Sequence, residues 1–394
     1  MNTIKEHVFP FSFCFFLTSG YLIHPTPMWA IIFYAIIIPA FLIITFKNKE
    51  EITSLFKDKT FITGVILIIW FLLSISWGVN QPEFNTKKYI TRSIVNLIFL
   101  FSAAYFFSNH TKWENLLFKI LPYAVLINTL ISTFLFYGVD THTLSDRLTG
   151  WAETRHPILG SLVVLTGFCI SFYQSQISTK NKDKILYATI CFSCVLFVIL
   201  TQSRGPLLTL LCIGIIFSIF SGKVVRRCAV GILFSIASIF LISDEIQNQV
   251  IQSLSRNPWR FEIWMDAWKY IQDAPIIGNG LASLNTFGAI EQKFPHSIYV
   301  SSAFFGGAIG LFLLLALFAQ LAWAALNTED RTTKAFHLGL LCVPVIGGLT
   351  DLAQVSKSPG ELWYILWVPV TIIIGHSIKS RREQKQQAQQ PSIE

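Results

Sequence analysis

Apolar runs of about 16 to 25 residues recur along the whole chain, each long enough to cross the roughly 30 Å hydrocarbon layer of a bilayer as a helix. Inside lipid every backbone N–H and C=O must be paired within the protein, so only helices and closed barrels can span. A barrel needs alternating segments of about ten residues, and these runs do not alternate. The expected fold is therefore all-α: a polytopic integral membrane protein with about 12 transmembrane helices. The spans are expected near 8–23, 28–46, 61–79, 89–107, 115–138, 157–178, 185–202, 205–220, 225–242, 297–325, 335–353 and 361–378. Composition agrees, since 53% of residues are hydrophobic and only 13% charged. That charged share is about half what a soluble domain carries. The first run has the weakly basic start of a signal peptide, but no small-x-small cleavage site follows it, so it is expected to be retained. Residues 1–378 are read as one transmembrane domain, with a large loop at about 243–296 between spans nine and ten carrying an amphipathic helix. Residues 379–394 are read as a polar cytoplasmic tail.

Basic residues that flank inserted helices stay cytoplasmic, and this sets the expected orientation. With the N-terminus inside, the inner loops hold Lys47, Lys49, Lys57 and Lys59, then Lys180, Lys182 and Lys184, then Lys223, Arg226 and Arg227. The tail adds Lys379, Arg381, Arg382 and Lys385, and Lys87 with Lys88 is the outer exception. The net charge of +8 is thus largely a topology signal, and no basic, aromatic-studded soluble domain supports a nucleic-acid partner. All seven cysteines lie in or at the edge of apolar runs, so no disulfide framework is implied. Cys191-x-x-Cys194 has redox or zinc spacing, but a single pair inside a span without a nearby His reads as packing.

A carrier or channel marks its pathway with ionisable groups inside its spans. Here such groups are few (Arg92, Lys119, His337, Asp351 and His376) and most sit near a predicted span end. The informative polar residues lie on the face opposite the topology charges, in the loop 139–156, the turn 203–206 and the loop 243–296. The turn Thr201-Gln202-Ser203-Arg204-Gly205-Pro206 places one guanidinium at the membrane surface, as an interfacial anchor or as a ligand for a headgroup-level anion. Asn257-Pro258 reads as an N-cap and first helical residue. In the helix that follows, Ile263, Trp264, Ala267 and Ile271 share a face opposite Glu262, Asp266 and Lys269, a pattern suited to lying on a bilayer. Arg260 falls within the apolar face. Either its stem packs on Trp264 with the head in water, or its fork pairs with a phosphate. The helix is followed by the turn-forming stretch Asp273–Gly280, and later Phe294-Pro295-His296-Ser297 fixes an imidazole at the entrance to the tenth span. There it is either incidental or able to exchange protons near neutral pH.

Together these residues resemble the O-antigen ligase and polymerase superfamily of bacterial envelope glycosyltransferases, and within it the O-antigen ligases. His296-Ser297, nine residues, then Gly307-Ala308-Ile309-Gly310 fits the family pattern His-[Asn/Ser/Gln]-x9-Gly-x-x-[Gly/Thr/Tyr]. Arg204 to Leu208 fits Arg-x3-Leu, and Arg260-Phe261-Glu262-Ile263-Trp264 with Pro275 and Gly278-Asn279-Gly280 is similar to the segment ahead of the family's histidine. Arg147-Leu148-Thr149-Gly150 before His156-Pro157 is similar to an earlier outer loop, where Asn-Pro is more familiar than His-Pro. The resemblance covers roughly residues 140–355. It implies transfer of O-antigen from undecaprenyl pyrophosphate to lipid A-core at the periplasmic face of the inner membrane. It also implies Arg204 and Arg260 on the diphosphate with His296 as general base, and substrate contacts from Arg147, Arg256, Ser297 and Asp351, the last orienting His296 or binding acceptor. The outer loops contain no Asp-x-Asp pair, so neither a metal nor a cofactor is expected. Rival readings are an O-antigen polymerase, a protein O-glycosyltransferase and, from another class, a carrier or flippase for lipid-linked sugars.

Overall fold

The computed structural model describes residues 4–78, 85–220, 222, 259–283, 285–288 and 292–389. Its helices of more than seven residues are α1 (Phe9–Ser19), α2 (Thr26–Lys47), α3 (Lys59–Ser76), α4 (Thr86–Asn109), α5 (Thr111–Val139) and α6 (Pro157–Ile177). They continue with α7 (Asn181–Leu200), α8 (Arg204–Phe220), α9 (Trp259–Asp273), α10 (Ile298–Leu326), α11 (Arg331–Gly347) and α12 (Val368–Gln389). Every one except α9 lies on a predicted apolar run, while the ninth predicted span, 225–242, falls outside the described residues. Seven of them, α2 to α7 and α10, are long and apolar enough to cross a membrane. Several present large apolar side chains outward, among them Phe46 (74% exposed), Phe192 (67%) and Phe312 (68%). Water would penalise such surface and hydrocarbon does not. The chain is an all-α, multi-pass membrane protein, and its described residues include an isolated β bridge, Phe287 with Gln292.

The longest uninterrupted buried run of the described residues, 362–375, lies at the start of the last helix. A π-helical turn, Trp363–Trp367, leads into α12, and Trp363, Tyr364 and Trp367 are all at most 1% exposed. Large aromatics with polar tips are tolerated at such a centre only if the tips are paired. Tyr364 Oη donates to the Leu17 carbonyl at 2.6 Å, Trp363 Nε1 to Asn96 Oδ1 at 3.1 Å and Trp367 Nε1 to the Val355 carbonyl at 3.0 Å. α12 packs chiefly on α4, α11 and α10.

Alternating helix directions divide the molecule into two ends. At one, Arg381 pairs with the α3 N-cap carboxylate of Asp58, and Arg382 donates to Asn109 Oδ1 at 2.7 Å and Ser54 Oγ at 2.8 Å. The lysines of 47–59 and 180–184 belong to this end. Two of the expected in-span ionisable residues also lie towards it: His337 Nε2 and His376 Nδ1 are 2.7 Å apart, and His376 contacts Glu114. Mutual pairing accounts for these buried groups without a conduction path. The opposite end gathers the loop 147–156, the turn 201–204, the entry to α10 and the segment 348–361. Two backbone bonds tie it together, Leu148 N to Leu200 O at 3.0 Å and Ile298 N to Gly348 O at 2.9 Å.

α9 departs from expectation in what covers its apolar stripe. Ile263, Ala267 and Ile271 are buried, but against α10 and the body of the protein instead of a bilayer surface. Trp264 is anchored by its Nε1 to the Pro295 carbonyl at 2.9 Å. Phe261, Met265 and Trp268 are its large apolar side chains left exposed. Periodicity reports that a stripe will be buried; it does not say by what.

Candidate functional site

The site is organised by a break in α10. Gly307 has φ 63° and ψ −162° inside that helix, a region open essentially to glycine alone. A break frees backbone groups that must be paired elsewhere, and the turn after α9 supplies the partners. Ala308 N and Ile309 N donate to the carbonyls of Pro275 (2.8 Å) and Ile276 (3.2 Å), while Asn279 N and Gly280 N donate to those of Phe304 (2.8 Å) and Phe305 (3.0 Å). Trp70 Nε1 takes the Gly306 carbonyl at 2.9 Å. Gly278, at φ 74°, lies so close to this break that a Cβ there would sit 2.3 Å from Gly307 N. Two glycine-bearing stretches that are separate in the sequence thus form one interlocked joint, and it sets α9 against the entry to α10.

His296 stands at that entry with φ 52°, a left-handed conformation costing a non-glycine residue on the order of 1–3 kcal/mol. Its neighbours hold the strain in place: Pro295 O accepts from Trp264, and Ile298 N reaches Gly348 O. His296 Nε2 lies 2.9 Å from Gln292 Oε1. Burial, then the positive charge of the nearby Arg260, holds the imidazole below its ordinary pKa, so it is the neutral, proton-accepting form at pH 7. Ser297 is only 2% exposed at the N-cap position of α10, and its side chain is turned into the protein.

Arg260 on α9 donates from Nη2 to Asp351 Oδ2 at 2.7 Å. Asp351, 8% exposed in its side chain, is thereby the partner of an arginine and not the orienter of His296, whose observed partner is Gln292. Burial raises the Asp351 carboxyl to about 6 even though Arg260 pulls it the other way. Thr350, its neighbour, packs on the turn of Arg204: a Cβ on Gly205 would lie 2.5 Å from Thr350 Oγ1. Arg147 locks the same turn, with Nε on the Thr201 carbonyl at 3.2 Å and Nη2 on Ser203 Oγ at 3.0 Å. Arg204 itself opens α8 and is exposed. Arg147, Arg204, Arg260, His296 and Asp351 are therefore drawn from five segments to one end of the bundle. Arg256 lies outside the described residues.

His156 has a structural task that its sequence context hides. Its Nδ1 accepts from Ile158 N (3.3 Å) and Leu159 N (3.2 Å), capping α6 ahead of Pro157. An asparagine oxygen can do the same work, which gives the His-Pro departure a physical reading. His156→Asn is expected to keep the cap, whereas His156→Ala should cost about 1 kcal/mol, read as a lower melting temperature in detergent. Gln292 and the Arg260–Asp351 pairing were not apparent in the sequence. Gln292 carried no motif, and its placement depends on the Phe287–Gln292 backbone bridge, with bonds of 2.9 and 3.0 Å.

Comparisons agree with the motifs. Residues 189–315 match a family model described as O-antigen ligase. The chain is 24% identical over 391 residues to an O-antigen ligase of Pseudomonas aeruginosa, covering 96% of this chain and 92% of that protein. A chain of a solved peptidoglycan synthase complex is similar over 84% of this chain and 98% of its own, at 15% identity and a TM-score of 0.45; a likeness at that level carries no argument. The resemblance to the O-antigen ligase superfamily read from the His296 and Arg204 patterns is borne out.

Proposed function

We propose that this protein is a lipopolysaccharide O-antigen ligase, a glycosyltransferase that moves O-antigen from undecaprenyl pyrophosphate to lipid A-core at the periplasmic face of the inner membrane. The observation that carries the reading is the gathering of Arg147, Arg204 and Arg260 with a neutral imidazole at the end of the bundle opposite the lysine-rich loops. Basic loops stay in the cytoplasm, so that end faces the periplasm. Diphosphate is the anion that fits: guanidinium forks pair with phosphate oxygens, each charge-assisted bond contributing about 1.5–3 kcal/mol.

In the reaction His296 takes the proton from a hydroxyl of the core sugar. The acceptor oxygen bonds to the anomeric carbon, the bond from that carbon to the diphosphate breaks, and the charge left on the diphosphate meets Arg204 and Arg260. Charge that grows in the transition state is where preorganised cations lower a barrier. Asp351 holds the Arg260 fork in register, and Arg147 holds the turn that presents Arg204. Neither residue needs to touch the glycan.

The test is direct. Purified protein incubated with lipid-linked glycan and rough lipopolysaccharide, without divalent metal, should yield the conjugate. Polymer built on the lipid carrier in place of conjugate would point instead to a polymerase. Arg260→Lys is expected to lower turnover at least tenfold, because an ammonium cannot bridge Asp351 and a phosphate in fork geometry; unchanged turnover would return Arg260 to a packing role. Turnover should also fall as pH drops below about 6. Asp351 then takes a proton and releases Arg260, and His296 protonates in the same direction at a pKa below its usual value. A rate that is flat from pH 7 down to 5 would contradict the role given to Asp351.

A further inference from the structure

We propose that a narrow cavity beside this site, apolar over most of its lining but with polar groups in its wall, is a receptor for an uncharged sugar hydroxyl or hydroxymethyl group, and so a specificity element of the transfer. The cavity encloses about 240 Å³ of atom-free space out to its mouth, and its polar lining is Ser301, Ser302, Gln354 and Ser356, with Phe71 and Phe305 among its apolar walls. Ser301 Oγ, Ser302 Oγ, Gln354 Nε2 and Ser356 Oγ are all buried and have no hydrogen-bond partner among the described residues. Each buried polar atom left unpaired costs on the order of 1–3 kcal/mol. Native proteins keep only a few, and four lining one cavity call for a shared occupant.

The chemistry of the walls limits what that occupant can be. Three hydroxyls can both donate and accept, an amide NH₂ donates, and among the described residues no charged side chain lines the space, so a neutral hydroxyl is matched better than diphosphate. The enclosed part has room for about one water-sized group, enough for a hydroxyl entering from a ring that stays outside. Its position ties it to the reaction. Ser301 and Ser302 lie on the first turns of α10, just after His296 and Ser297, and Ser301 N bonds the Ser297 carbonyl at 2.8 Å. Gln354 and Ser356 follow Asp351 by three and five residues. The two segments that bring His296 and Asp351 to the site continue as the cavity walls, so a sugar engaged there is placed by the same elements that hold the reacting groups.

The inference rests on the ligase reading, and the experiment separates the two. With full-length protein in detergent, KM for lipid-linked glycan and KM for rough lipopolysaccharide are measured separately for wild type, Ser302→Ala, Ser301→Ala/Ser302→Ala and Ser302→Val. The alanine variants remove an unpaired oxygen and are expected to fold as wild type, checked by gel filtration and melting temperature. One KM should rise about tenfold in the double variant and in the valine variant, whose methyl groups obstruct the cavity, while kcat changes less than about threefold. A rise for the glycan substrate assigns the hydroxyl to the donor, and a rise for lipopolysaccharide assigns it to the acceptor. Unchanged values of both KM in proteins that still transfer glycan would overturn the cavity's role and leave it a water site. A wild-type protein that transfers nothing would overturn the ligase reading and this inference together.

Discussion

His296→Ala is expected to leave the protein inserted at normal abundance and to abolish capping of lipid A-core with long glycan, a loss of about 10²- to 10⁴-fold in transfer rate. The reason is positional. His296 is a neutral imidazole held at the mouth of α10, close to the Arg260 cation and hydrogen-bonded to Gln292. Because its φ is 52°, alanine adds some backbone strain, so His296→Asn is the better companion: asparagine tolerates the left-handed region yet cannot exchange a proton near neutral pH. Arg204→Ala should give the same phenotype through the diphosphate. Lipopolysaccharide ladders on a gel, set against the amount of protein in the membrane fraction, measure both. Normal ladders from the asparagine variant would remove His296 from the chemistry, and normal ladders from Arg204→Ala would do the same for the clamp.

The second large effect is on the fold of the site. Gly307→Ala is expected to destabilise the protein by about 3 kcal/mol or more, visible as poor yield and a strongly lowered melting temperature in detergent. A Cβ at Gly307 would lie 2.2 Å from the Ile276 carbonyl oxygen and 2.5 Å from Gly278 N, and the backbone there is already in a region that alanine avoids. Both contacts are backbone atoms of the turn that satisfies the broken helix, so neither can rotate away. Gly310, in the same motif, is the control. It has no such dihedral angle, and a Cβ would meet Ser302 O at 3.1 Å and the Phe71 ring at 3.3 Å, which small shifts relieve. A Gly307→Ala protein as stable as wild type would mean that the joint between the turn and α10 is not what holds the entry of His296.

This joint explains why a histidine and a glycine eleven residues further on occur as one pattern. The histidine supplies the chemistry, and the glycine supplies the break that admits the turn after α9. The motif was legible in the sequence as spacing alone; its cause was not, because the partner strand of chain lies some thirty residues upstream. The same holds for Asp351. Sequence placed it near a span end and offered it to His296 or to the acceptor, whereas the structure gives its carboxylate to Arg260, 91 residues away.

What the sequence determined by itself was the class of solvent and the order of the helices. Hydropathy over one span is a local sum, and the need to pair every backbone group in lipid turns that sum into a helix without reference to any other segment. The Arg204 and His296 motifs were likewise local. The tertiary structure alone decided that the entry to α12 is buried, that the α9 stripe faces protein, that Gln292 meets His296 and that Asp351 meets Arg260. Each of these is a contact between distant segments, whose partners are chosen by packing and by the pairing of buried charge, quantities that no window of sequence contains.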